Sequence, residues 1–125
     1  YKLDANDSAI IQVEFANGAL GVIHTTRWAT GHENSLTLAI HGTKGALRVD
    51  LDRSPDQVEV CLGPDIHKAR WRTLKAAATP DIYQRFIKAI RTGGSGEPDF
   101  ARGAEIQKVL DACIESDRLG RVVRV

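Results

Sequence analysis

The sequence predicts an α+β protein: an open-faced, mainly antiparallel β-sheet with two C-terminal helices packed on it. Three observations carry this expectation. Up to about residue 75, apolar residues recur at every second position, the period of a half-buried strand. From Thr79 onward they recur at three and four, the period of one helix face. Strands therefore precede helices instead of alternating with them, which argues against βαβ repeats and a parallel sheet. No repeat or long linker divides the chain, so residues 1–125 read as a single domain.

Each element has its own signal. Ala9, Ile11, Val13 and Phe15 alternate with Ile10, Gln12 and Glu14 in the first strand. Asn17-Gly18 tolerates positive φ and closes a hairpin. The return strand is expected from Ala19 to about Ala29, with Leu20, Val22, His24, Thr26 and Trp28 on one face. Thr30-Gly31-His32-Glu33 reads as a loop. Ser35 to His41 alternates again, Gly42-Thr43-Lys44-Gly45 makes a second tight turn, and Ala46 to Leu51 continues as a strand. Ser54-Pro55-Asp56 breaks the pattern, Gln57 to Leu62 resumes it, and a weaker strand covers Arg70 to Leu74. Thr79-Pro80-Asp81 is a helix start, with a hydroxyl N-cap, proline at the first helical position and an acid near the positive dipole end. Tyr83, Phe86, Ile87 and Ile90 form that helix's apolar stripe, and Gly93-Gly94-Ser95-Gly96 stops it. Pro98-Asp99 opens a second helix carrying Ile106, Val109, Leu110 and Cys113. Gly120 ends it, and Arg121 to Val125 reads as one last strand.

Composition narrows the function classes. The chain is 42% hydrophobic and 26% charged, the balance of an ordinary globular domain. Seventeen basic and sixteen acidic residues leave a net charge of +1, so no field attracts nucleic acid or an anionic membrane. No apolar run approaches the roughly 20 residues that span a bilayer, and no signal peptide opens the chain. Cys61 and Cys113 form no CxxC pair and read as two free thiols of a reducing compartment, hence a cytoplasmic protein. There is no methionine and the chain starts at Tyr1, from which we expect a piece of a longer polypeptide.

Most constellations that carry chemistry are missing. No GxGxxG or GxxxxGK[ST] occurs, so no dinucleotide or P-loop phosphate cradle can be argued. Gly42-Thr43-Lys44-Gly45 matches the GXXG of an RNA-binding KH loop, but that loop joins helices and this one joins strands. His24, His32, His41 and His67 lack zinc-site spacing, although His24 and His41 could approach across neighbouring strands, and no metal is expected. No GxSxG elbow is present. Arg70, Trp71, Arg72 and Lys75 form a basic strip that alternating charge on an exposed strand explains more simply than nucleic-acid binding. One segment stands out: Arg27, Trp28 and His32 gather a guanidinium, an indole and an imidazole where a strand runs into a loop. Indole faces stack on sugars while Arg and His hydrogen-bond hydroxyls, so the cluster suits a polyol pocket. The competing reading makes Trp28 a core or interface aromatic beside a solvated loop.

Four segments in order resemble the C-terminal domain of the glucose–fructose oxidoreductase, inositol dehydrogenase and MocA (Gfo/Idh/MocA) family. They are Phe15-Ala16-Asn17-Gly18-Ala19-Leu20-Gly21, Ile40-His41-Gly42-Thr43-Lys44-Gly45-Ala46-Leu47, Pro98-Asp99-Phe100-Ala101-Arg102-Gly103, and Val109-Leu110-Asp111-Ala112-Cys113-Ile114-Glu115-Ser116. The resemblance implies a sheet domain that follows an N-terminal Rossmann domain, which this chain does not contain. It implies hydride transfer between NAD or NADP and a sugar, inositol or related polyol. The family's catalytic lysine, in an EKP-type motif, and its D…H motif have no counterpart here, so the chain holds no catalytic or cofactor-binding residue and is expected to be inactive alone. What it retains is a substrate wall at Arg27, Trp28 and His32. The resemblance also implies a homo-oligomer formed through the open sheet face. The rival expectation is a non-catalytic β-sheet module for assembly or ligand sensing.

Overall fold

Tight turns set the register of the β1–β2 and β3–β4 strand pairs in the computed structural model, which describes residues 6–125. The expectation attached to Tyr1 lies outside the described residues. Strands β1 (Ser8–Glu14) and β2 (Leu20–Thr26) pair antiparallel, from Glu14 opposite Leu20 to Ser8 opposite Thr26. Their connection is a turn closed by Gly18 N–H to Phe15 O at 2.8 Å, followed by Gly18 at φ 81°. Asn17 Oδ1 accepts from Ala19 N–H at 3.1 Å, so the Asn-Gly pair supplies both the turn's side-chain bond and its left-handed residue.

Strands β3 (Thr37–Gly42), β4 (Gly45–Asp50), β5 (Gln57–Leu62) and β6 (Arg72–Lys75) form a four-stranded antiparallel sheet in sequence order. Gly42 faces Gly45 across the β3–β4 turn. Gly45, at φ 142°, has no room for a side chain: a Cβ there would lie 2.5 Å from the Cys61 carbonyl oxygen. Gly42-Thr43-Lys44-Gly45 is thus a hairpin turn. A 3-10 helix, Gly63–Lys68, that the sequence reading did not include links β5 to β6.

Helix α1 (Ile82–Thr92) starts two residues later than expected. Its N-cap is Asp81, not Thr79: Asp81 Oδ1 accepts from Gln84 N–H at 2.7 Å, and Gln84 Oε1 accepts from Asp81 N–H at 3.1 Å. This reciprocal capping box satisfies two orphan donors, which a lone threonine hydroxyl does not. Helix α2 (Phe100–Leu119) is capped by Asp99, which accepts from Arg102 N–H at 2.9 Å, and ends at Gly120, φ 60°. Residues 121–125 are irregular, correcting the expected last strand; the Arg121 carbonyl is taken by Ser116 Oγ at 2.8 Å, and no ladder partner is present among the described residues.

The α+β class, antiparallel pairing and two C-terminal helices hold, with the strands divided between two sheets. By contacts the chain forms two units: residues up to Thr26 with Pro80–Val125, and Arg27–Thr79. In the second unit the buried apolar residues are Val60 and Cys61 of β5. The register puts Leu38, Ile40, Leu47, Val49, Val58 and Val60 on one face of the four-stranded sheet and Ala39, Arg48, Gln57 and Glu59 on the other. No helix among the described residues is long and apolar enough to cross a membrane.

Candidate functional site

The strand expected to reach Ala29 ends at Thr26, which pairs with Ser8 at the start of β1. Arg27 and Trp28 therefore leave the strand and enter the loop of residues 27–36, which also carries His32. All three lie in the unit Arg27–Thr79. Trp28 is 77% exposed, so it is not a core aromatic of this unit. A backbone bond from His32 N–H to Ala29 O, 3.0 Å, folds the loop back at Thr30-Gly31, where Gly31 sits at φ 91°.

The structure adds a partner that sequence reasoning missed. His32 Nδ1 lies 3.4 Å from Asp52 Oδ2, with both side chains partly exposed. Asp52 stands in the turn after β4, which Asp50 builds: its Oδ1 accepts from Asp52 N–H at 3.1 Å and Arg53 N–H at 3.2 Å. Leu51 N–H to Leu36 O, 3.0 Å, extends the β3–β4 ladder and ties the two loops together at one end of the sheet. The signal available in the sequence was the hairpin register. With Thr37 opposite Asp50, two further steps put Asp52 opposite Ser35, close in sequence to His32.

Two cations of the basic strip, Arg72 and Lys75, have carboxylate partners. Arg72 Nε meets Asp65 Oδ2 at 2.8 Å, Lys75 Nζ meets Asp56 Oδ2 at 3.4 Å, and Trp71 lies under Arg48 at 4.4 Å from Cζ to ring centroid. Arg48 in turn binds Glu59 through two bonds, Nε to Oε2 at 2.7 Å and Nη2 to Oε1 at 3.2 Å. The Arg48 hydrogen bonds hold the Glu59 carboxyl below the usual carboxylate range, and Glu59 holds the guanidinium above its own ordinary value. His24 and His41 share no ladder, since β2 pairs with β1 and β3 with β4. Among the described residues no group of three or more His, Cys, Asp or Glu side chains is placed to hold a metal ion. Cys61 and Cys113 are both free.

The loop thus carries a guanidinium, an exposed indole and an imidazole with a carboxylate 3.4 Å behind it. Comparison with known proteins bears on the family of the chain. The family model described as "Oxidoreductase family, C-terminal alpha/beta domain" matches residues 2–125. A levoglucosan dehydrogenase of Pseudarthrobacter phenanthrenivorans is 30% identical over 136 residues, covering 91% of this chain and 35% of that protein. A solved levoglucosan dehydrogenase in complex with NADH and levoglucosan superposes with a TM-score of 0.79 at 28% identity, over 98% of this chain and 40% of that one. An oxidoreductase domain protein from Kribbella flavida does so with a TM-score of 0.76 at 28% identity, over 93% of this chain and 36% of its own. The chain therefore spans well under half the length of these relatives.

Proposed function

The chain belongs to the Gfo/Idh/MocA oxidoreductase family as its C-terminal alpha/beta domain, and from that premise we propose that it is the substrate-binding and oligomerisation domain of an NAD(P)-dependent dehydrogenase acting on a sugar, inositol or related polyol. The family match over residues 2–125, together with the likeness to a levoglucosan dehydrogenase bound to NADH and levoglucosan, carries this reading. Such an enzyme moves a hydride between the nicotinamide and a carbinol or carbonyl carbon, while a protein group takes up or supplies the alcohol proton. The chain has no GxGxxG cradle, so we assign neither the cofactor nor the proton relay to its residues.

Its own contribution is the wall formed by Arg27, Trp28 and His32. Arg27 can only donate, Trp28 offers a flat apolar face to the C–H side of a sugar ring, and His32 can donate or accept. Both units are taken as parts of one domain, and the apolar face carrying Leu38, Ile40 and Leu47, each more than a third exposed, is the surface through which two copies would pair.

The test uses the full-length protein with NAD and NADP against anhydrosugars, aldoses and inositols. We expect cofactor reduction with at least one of them. Arg27→Ala and His32→Ala should each raise KM about tenfold, the cost of one lost hydrogen bond to a hydroxyl, with a smaller change in kcat. No turnover with any of these substrates and either cofactor would overturn the dehydrogenase reading and leave the non-catalytic assembly or ligand-sensing module.

A further inference from the structure

Building on the substrate-wall reading of His32, we propose that Asp52 is the positioning residue of that histidine, keeping the proton of the neutral ring on Nδ1 so that Nε2 offers its lone pair to a substrate hydroxyl. The argument begins with what each atom can do. An ionised carboxylate only accepts hydrogen bonds, so a contact between Asp52 Oδ2 and His32 Nδ1, 3.4 Å, is favourable only with the proton on Nδ1. The other ring nitrogen of the neutral imidazole is then an acceptor. The contact is longer than the roughly 2.7–3.2 Å of most N–H···O bonds, so it orients the ring and does not clamp it.

The surroundings fit that role. Asp52 sits on a turn whose bonds are made by Asp50 and the backbone, including Ser54 N–H to Asp50 O at 3.1 Å. The backbone that carries Asp52 is therefore held by groups other than its own side chain, which leaves the carboxylate to the histidine. The His32 side chain is 55% exposed and that of Asp52 38%, which leaves the imidazole within reach of solvent and ligand. A fixed acceptor also complements the same loop. Arg27 supplies only donors, whereas each sugar hydroxyl is both a donor and an acceptor. With Nε2 as acceptor the wall can satisfy both halves of a diol; with the opposite tautomer it would present donors alone. A carboxylate behind the far nitrogen of a working histidine is the arrangement by which proteins commonly select a tautomer.

The experiment takes the full-length enzyme with 15N-labelled histidine and reads the His32 ring nitrogens by NMR at a pH where the ring is neutral, alongside steady-state kinetics. Wild type should show the Nδ1–H form. Asp52→Ala should move the ring toward Nε2–H and raise substrate KM about three- to tenfold with kcat nearly unchanged. Asp52→Asn keeps an acceptor oxygen and should retain both the tautomer and a KM close to wild type, which separates loss of the acceptor from damage to the turn. An unchanged tautomer in Asp52→Ala overturns the role of Asp52, and the wall reading then stands if His32→Ala still raises KM. A shifted tautomer with KM unchanged in both Asp52→Ala and His32→Ala overturns the hydroxyl contact and the wall reading together.

Discussion

The side chains with the most definite geometry lie across the four-stranded sheet from one another. Arg48 and Glu59 are direct cross-strand partners, so the register alone brings them face to face, and Trp71 gives the guanidinium a surface to lie on. Both side chains keep contact with water, at 47% and 24% exposure, so solvent screens the pair. Its effect should appear in pH dependence. Glu59 titrates lower in the folded chain than in the unfolded one, chiefly through the Arg48 hydrogen bond. The pair's stabilisation is therefore complete above the ordinary glutamate range and is lost as pH falls through the depressed folded value. Glu59→Gln should lower stability near neutrality by a small, solvent-screened amount and converge with wild type in acid, which flattens the acid limb of the stability–pH profile; a profile identical to wild type would show that the pair contributes nothing. The sequence made part of this visible. Alternating charge marked Arg72 and Lys75 as solvated, and both have carboxylate partners. The His32–Asp52 contact was missed: counting the hairpin register outward brings Asp52 only to Ser35, and beyond the ends of β3 and β4 period-two alternation no longer specifies where the loop places His32.

Elements were legible wherever a local chemical signal fixed them. Asn17-Gly18 and Gly42-Thr43-Lys44-Gly45 demanded turns, Asp99 and Gly120 bracketed α2, and the structure has each in place. Ends set by a partner were not legible. The alternation of the second strand was read as far as Ala29, yet the ladder stops at Thr26, opposite Ser8. The start of α1 was a contest between two local signals, Thr79-Pro80 against the Asp81-x-x-Gln84 box, and the one making two hydrogen bonds prevailed. That outcome is testable. Asp81→Ala should destabilise α1 by about 1 kcal/mol, whereas Thr79→Ala should be close to neutral. Equal losses from the two, measured as shifts in the denaturant midpoint of the full-length protein, would restore Thr79 as the cap. Gly63–Lys68 escaped notice for a related reason: Pro64 and Asp65 look like a turn, and two turns of 3-10 helix carry no apolar period that a strand–loop–strand reading would detect.

At the scale of the whole molecule, the unusual property is how little apolar surface is put away. Val60 and Cys61 are the buried hydrophobic residues among those described, while Leu20 is 81% exposed, Phe86 63% and Ile40 52%. Neither α1 nor α2 contains a buried residue. Apolar burial contributes roughly 25 cal/mol per Å² and is the main term offsetting the ordering entropy of a chain. A two-stranded hairpin such as β1–β2 is marginal without something packed on it. The patterned faces read from the sequence are real, since their residues share faces of strands and helices, but they need to be covered. Relatives more than twice as long supply the precedent for further polypeptide, and pairing of sheet faces would supply more cover. Residues 1–125 expressed alone should therefore bind ANS strongly and melt without a sharp transition, whereas the full-length protein should bind little dye and unfold cooperatively. A cooperative melt and weak dye binding by the isolated segment, with a monomer mass by light scattering, would mean that these faces close on one another, and the need for a covering partner would be gone.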